Sequence, residues 1–233
     1  MTKKKLLLTA AMLLLSQNVM AEEVMQAAPQ ATMAEAPALP AITNDANLDA
    51  GLRSLQNDWS VIKYQVKGEE EQEAQIKALA GKAKQLSATF PNYAEPKIWQ
   101  AIILSTQAGI DGGLGSLGLV KEAKKLLEQA QKINPNALEG SAYTSLGSLY
   151  YKVPAWPIGF GDDEKAKANL EQARAINPNG IDPNYFYGDF LIEQGEYEKA
   201  ITVLEHALQA APRPGRELAD AGRRGEIDRK SVV

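Results

Sequence analysis

Residues 181–212, IDPNYFYGDFLIEQGEYEKAITVLEHALQAAP, decide the fold. Asp182 followed by Pro183 is a helix-start signal, because a carboxylate can cap free N–H groups and a proline in the first turn gives up no hydrogen bond. Asn184, Tyr187, Gly188 and Leu191 then recur at three- and four-residue spacing and share one helical face. Gln194-Gly195-Glu196 interrupts that period, since glycine takes the left-handed conformation that ends helices. A second period, Tyr197, Ala200, Leu204, Ala207 and Leu208, runs until Pro212 stops it. The stretch predicts two short antiparallel helices. Gly188 opposite Ala200 and Ala207 lets them approach closely, with Tyr197 and Leu204 filling the gaps.

Weaker copies lie upstream. Leu48, Leu52, Leu55, Trp59 and Ile62 draw one stripe along a first helix, and Ile76, Leu79, Ala83, Leu86 and Phe90 draw a second that ends at Pro91. Glu69-Glu70-Glu71 opens that second helix, where the helix dipole favours negative charge. A third helix opens on Glu95-Pro96, carries Ile98, Trp99, Ile102 and Ile103, and ends near Gly109. A fourth spans residues 120–133, a fifth carries Tyr143, Leu146, Gly147 and Tyr150, and a sixth opens on Asp162-Asp163-Glu164 and ends at Asn177-Pro178.

Counting back from the closing prolines Pro135, Pro178 and Pro212 exposes a repeat. Alanine stands twelve residues earlier (Ala123, Ala166, Ala200), leucine eight earlier (Leu127, Leu170, Leu204) and alanine five earlier (Ala130, Ala173, Ala207). This pattern resembles the tetratricopeptide repeat (TPR), strongly from residue 119 onward. The resemblance implies an all-α fold, a right-handed superhelical stack of about four antiparallel helix pairs plus a C-terminal cap. Residues 181–212 are the repeat of standard length. The two before it carry lengthened turns, GIDGGLGSLG and KVPAWPIGFG, while the first pair matches only in rhythm and final proline.

Residues 1–21 read as a signal peptide: Lys3-Lys4-Lys5, an apolar run over 6–15, and a small-residue cleavage site before Glu22. Residues 22–46 read as a flexible Ala/Pro-rich leader, 47–212 as the repeat domain, and 213–233 as a cap with a charged tail. Cleavage after Ala21 removes three of the 25 basic residues and none of the 29 acids, leaving 22 against 29 and a net charge near −7. Such a chain has no electrostatic attraction for nucleic acid or an anionic membrane. The absence of cysteine excludes disulfides, thiolate chemistry and a cysteine-linked lipid. A periplasmic location is the expectation. More loosely, an exported repeat protein with long loops within its helix pairs is similar to the T-component of TRAP solute transporters, although that family's usual lipid anchor has no cysteine here.

Enzyme chemistry finds no constellation. Gly113-Leu114-Gly115-Ser116-Leu117-Gly118 matches GxGxxG formally, but a dinucleotide site requires a strand before it, and a loop between helices explains it better. His206, the single histidine, has no partner for a triad or a metal site, so no cofactor and no catalytic residue are expected. By the TPR resemblance, the first helix of each pair lines a concave groove suited to a protein or peptide segment. Carried onto this chain, the groove offers Thr144, Ser148, Tyr151, Lys152, Tyr185, Asp189, Ile192 and Glu193. In the loop of residues 152–161, Trp156 and Phe160 are large apolar groups. Trp156 is expected to tuck into the repeat core, with a lid over the groove as the alternative. The tail alternates Arg213, Arg216, Arg223, Arg224, Arg229 and Lys230 with acids. It reads as a polar cap with a short helix near residues 217–222, or as a phosphate- or carboxylate-binding arginine cluster. Two functions follow: a scaffold gripping a protein or peptide in the groove, or a small-ligand binding accessory of solute uptake with an apolar ligand under the Trp156 loop.

Overall fold

The computed structural model describes residues 39–230; the expected signal peptide, the expected leader up to residue 38 and the last three residues of the tail lie outside them. Among the described residues there are nine α-helices: α1 (Ala46–Tyr64), α2 (Glu69–Thr89), α3 (Glu95–Asp111), α4 (Leu117–Ile133), α5 (Ser141–Lys152), α6 (Asp163–Ile176), α7 (Ile181–Glu193), α8 (Tyr197–Leu208) and α9 (Glu217–Lys230). No helix among them is long and apolar enough to cross a membrane.

The start signals work as chemistry dictates at α1, α3 and α6. Asp45 accepts from the backbone N–H groups of Asn47 and Leu48 to cap α1, Pro96 sits in the first turn of α3, and Asp162 accepts from Lys165 N–H to cap α6. At α7 the outcome differs. The helix begins at Ile181, its cap residue is Gly180, and the Asp182 carboxylate turns instead to two guanidinium groups. Charge-assisted bonds to arginine are stronger than one bond to a helix N–H, so the arginines win the carboxylate.

Helices pack in the pairs α1/α2, α3/α4, α5/α6 and α7/α8, and each second helix also packs against the first helix of the next pair. The fold is an all-α, TPR-like solenoid. Its pairs close on small residues. The repeating alanines and leucines of α4, α6 and α8 are all buried, and each leucine so buried contributes roughly 1.5–3 kcal/mol. A Cβ on Gly188 would lie 2.7 Å from Leu204, and one on Gly147 would lie 2.5 Å from Leu170. Tyr197 does not share in filling these gaps. As the first residue of α8 it stays 54% exposed, and Leu204 alone occupies the space under Gly188.

The two lengthened turns differ in kind. Gly112 and Gly113 adopt φ of 63° and 65° with ψ near 180°, a region open only to glycine. A 3-10 turn (Leu114–Ser116) then leads directly into α4. The GxGxxG match therefore joins two helices and has no strand before it. The second loop, residues 153–162, is held by its own backbone: Gly161 N–H donates to Pro154 O and Asp162 N–H to Tyr150 O. Phe160 packs edge-on to Tyr150 at 5.8 Å between ring centroids. Trp156 is 86% exposed, so the expectation that it tucks into the core fails. Phe160, not the tryptophan, anchors the loop.

The cap helix is longer than the sequence signals suggested, and it goes further. α9 runs to Lys230 and packs on α7, on α8 and back on α1. Gly222 permits this, because its Cα rests on the Tyr64 ring, where any Cβ would come within 2.5 Å of ring carbons. At the other end, residues before α1 are fastened too. The buried Asp49 carboxylate accepts from the Ile42 and Thr43 N–H groups, each at 2.7 Å, and Ile42 packs against the buried cluster that α1, α2 and α3 share.

The pair geometry predicts that Gly188→Val drives two methyl groups into Leu204 and the α8 backbone. We expect a loss of about 1–3 kcal/mol in urea unfolding, with helical circular dichroism retained at low denaturant.

Candidate functional site: a cavity beneath the C-terminal helix

The first helices α1, α3, α5 and α7 present one shared face, and the segment from Arg213 through α9 crosses it. Between them lies a cavity of about 720 Å³. One wall is apolar, built from Trp59, Ile102, Leu149 and Phe186, with Leu138 entering from the 3-10 turn (Ala137–Gly140). Leu138 and Glu139 hold positive φ, 47° and 55°, which is unfavourable for residues with a Cβ. Ser141 Oγ donating to Leu138 O at 2.7 Å and Asn177 Nδ2 donating to the Glu139 carboxylate at 2.7 Å fix the turn. Thr144, Ser145 and Ser148 line the α5 side with hydroxyls.

The opposite wall is ionic. Asp182 accepts from Arg213 Nη1 at 2.7 Å and from Arg223 Nε at 2.8 Å. Arg213 also binds Asp220, Arg223 also binds Glu226, and Glu226 reaches Lys63 of α1 at 3.2 Å. The Arg223 guanidinium lies 4.2 Å above the Tyr185 ring and 4.8 Å above Phe186. Burial pushes the Asp182 carboxyl up, but the two arginines outweigh it and hold the group well below the usual carboxylate range. Burial lowers the Lys63 ammonium, helped by repulsion from Arg223 and opposed by Glu226.

Arg216 stands apart. Its guanidinium lies 4.9 Å above the Trp99 ring, and it has no ion pair or side-chain hydrogen bond among the described residues. Burial, with repulsion from Arg213, pushes its pKa down to about 10, so it remains a cation at neutral pH. Its Nε is sealed from solvent without an acceptor, and so is the indole N–H of Trp99, a residue only 3% exposed. Trp59, by contrast, donates its indole N–H to Thr106 Oγ1 at 2.8 Å. An unsatisfied buried donor costs roughly 1–3 kcal/mol, more when charged, so two in one cavity are a standing expense of the fold. The Tyr64 hydroxyl is also unpartnered but does not line the cavity.

The residues that the TPR resemblance assigned to a groove divide into two groups. Thr144 and Ser148 line the cavity. Tyr151, Lys152, Asp189 and Glu193 form a network instead: Tyr151 Oη donates to Asp189 at 2.7 Å, and Lys152 pairs with Asp189 at 3.1 Å and Glu193 at 2.7 Å. Lys230, on the last turn of α9, reaches the same Asp189 at 2.5 Å. Tyr185 lies buried under Arg223, and Ile192 packs against the buried cluster of Ile181 and Leu204. Trp156 and Phe160 do not line the cavity. His206 sits at a seam, with Nε2 3.1 Å from Pro178 O. Sequence reasoning missed Trp59, Trp99, Lys63 and Asp182 as site residues. The two tryptophans fell on apolar stripes and Asp182 read as a helix cap, while no signal marked Lys63; only the return of the tail to α1 brings them into one place.

The Asp182 clamp sets an acid sensitivity. Its folded pKa is depressed below the ordinary carboxylate value, so its stabilisation is full above about pH 4 and is lost as pH falls further toward the folded pKa. Asp182→Asn should destabilise the protein at pH 7 by about 2–3 kcal/mol. That is less than for a fully buried pair, because the carboxylate borders the cavity. Melting curves from pH 7 to pH 3 should fall less steeply for the variant than for the parent.

The family model for the tetratricopeptide repeat matches residues 158–221, from the second long loop to the first turn of α9. Among curated proteins there is no match. The matched region holds the regular pair α7/α8 and its neighbours, and it supports a TPR protein, a repeat that suggests a protein-interaction module.

Proposed function

We propose that the chain is an exported, periplasmic binding module without catalytic activity, and that the face of its first helices encloses a small ligand, as an accessory of solute uptake would. One observation carries this reading. The place where the repeat geometry would seat a partner peptide is taken by the chain's own α9, and what remains under it is a cavity of about 720 Å³. That lies within the roughly 300–1,000 Å³ typical of small-molecule sites. The polar network around Asp189 belongs to the seating of α9, which leaves a peptide few free groups on that face.

Export rests on the Lys-rich start, the apolar run and the small-residue cleavage site before Glu22. A protein partner is favoured by a different observation. The self-bonded loop of residues 153–162 holds Trp156 and Ile158 out at 86% and 52% exposure, a rigid apolar projection of the kind that anchors interfaces. In this scheme the cavity takes the ligand and the loop docks the protein that delivers or receives it.

The test uses tryptophan fluorescence on the Trp156→Phe protein, in which Trp59 and Trp99 at the cavity are the remaining reporters. Fractions of a periplasmic small-molecule extract should include one that changes their emission and raises the melting temperature. A complete set of fractions with neither effect would overturn the ligand reading. Crosslinking in intact cells should lose its principal protein adduct in Trp156→Ser; an unchanged adduct would remove the loop from the interface.

A further inference from the structure

Four cations, Lys63, Arg213, Arg216 and Arg223, stand at the ionic wall against three carboxylates, Asp182, Asp220 and Glu226. Each carboxylate already bridges partners: Asp182 holds Arg213 and Arg223, Glu226 holds Lys63 and Arg223, and Asp220 takes both the side chain and the backbone N–H of Arg213. Glu139, also at the cavity, is exposed and bound to Asn177. With Glu139 the charges balance, four cations against four carboxylates, yet Glu139 meets only a neutral amide and Arg216 is the one cation of the four without an ion pair among the described residues. Arg216 lines the cavity beside the Trp99 ring, and a lining cation that no carboxylate contacts calls for a ligand group that accepts hydrogen bonds and carries negative charge. The rest of the lining, Trp59, Ile102, Leu138, Leu149 and Phe186, calls for an apolar body.

The geometry points to an anionic amphiphile as the occupant, with a carboxylate-type headgroup bound by the Arg216 guanidinium and an apolar chain or ring system along the α3–α5–α7 wall. A single unpaired cation matches a monoanion, hence a carboxylate over a phosphate monoester. The inference rests on the cavity being a ligand site and adds the chemistry of what it holds. Arg213 and Arg223 are not the headgroup ligands, because each is already committed to two carboxylates.

Three probes with one chain separate the possibilities: decanoate, decyl phosphate and decanol, titrated calorimetrically and by fluorescence into the Trp156→Phe protein. Decanoate should bind at least tenfold tighter than decanol. Arg216→Gln should erase that preference by lowering decanoate affinity at least tenfold while leaving decanol unchanged. Without ligand, Arg216→Gln should melt at nearly the same temperature, since it gives up its stacking on the Trp99 ring but no ion pair, and Arg216→Lys should keep part of the preference. Decyl phosphate binding tighter than decanoate would support the anion site and assign it a phosphate headgroup. Equal binding of decanoate and decanol, in both the parent and Arg216→Gln, would overturn the anion site while leaving the ligand cavity standing. Failure of all three probes to bind would overturn the inference together with the cavity reading. A preference lost in Arg216→Gln, accompanied by a lower melting temperature and no retention in Arg216→Lys, would make Arg216 a structural residue and overturn it as well.

Discussion

Asp182 is shared between two arginines that lie far along the chain from it, Arg213 just before α9 and Arg223 within it. The repeat stack does not require that bond, since its pairs close on alanine, leucine and glycine alone. The position of α9 does. Held at Asp182 near the start of α7, at Asp189 through Lys230, and at Glu226 through Lys63 of α1, the last helix lies across the face that a TPR array otherwise leaves open. Each of these contacts joins a charge to a partner on another helix in a partly dry setting. There, an ion pair with additional hydrogen bonds fixes position more than it adds stability. The cavity follows from that placement, because α9 touches α1 and α7 at its edges and leaves the floor over α3 and α5 unfilled.

Much of the architecture was legible in the residues. Alanine and leucine at fixed distances from three prolines, with glycine where helices cross, specify helix pairs before any coordinate is known, and Gly188 against Leu204 shows why. Apolar periodicity reads local packing well because burial repeats every three to four residues. It reads long-range closure poorly. Trp59 and Trp99 fall on their helices' buried stripes and look like core, and they are buried; only α9 and the segment before it, placed over them, turn their edge into a cavity wall. The arginine-rich tail signalled both a cap and an anion cluster. Spacing along the tail could not show which arginine would find its carboxylate taken. That depends on Asp182, whose sequence context, just before a proline, looks like a helix cap.

The Trp156 loop misled for a related reason. A large aromatic residue between two prolines has the composition of a core plug, and burying it would gain much apolar area. Phe160, four residues later, takes the packing position on Tyr150, and tight backbone bonding around Gly159 and Gly161 leaves the tryptophan pointing outward. An exposed indole on a stiff support forgoes a gain that the fold had available, which is the usual condition of an interaction anchor and not of a structural residue.

The unpartnered pair at the cavity belongs to the same class of departure. Local consistency fails at Arg216 and Trp99, where a guanidinium Nε and an indole N–H are sealed without acceptors, and it holds around them, where Asp182, Asp220 and Glu226 are each doubly used. Arg216 sits on the segment leading into α9, while the apolar lining belongs to the repeat stack, so the proposed site is complete only with α9 docked. A ligand held between the two would bind the docked form alone and would favour docking by its own binding free energy. By the same linkage, anything that lifts α9 must weaken the ligand. Loss of the Asp182 clamp should have that effect, and so should a side chain at Gly222 pressed against Tyr64. On that logic the arginine-rich tail supplies one half of the proposed site and the repeat stack the other.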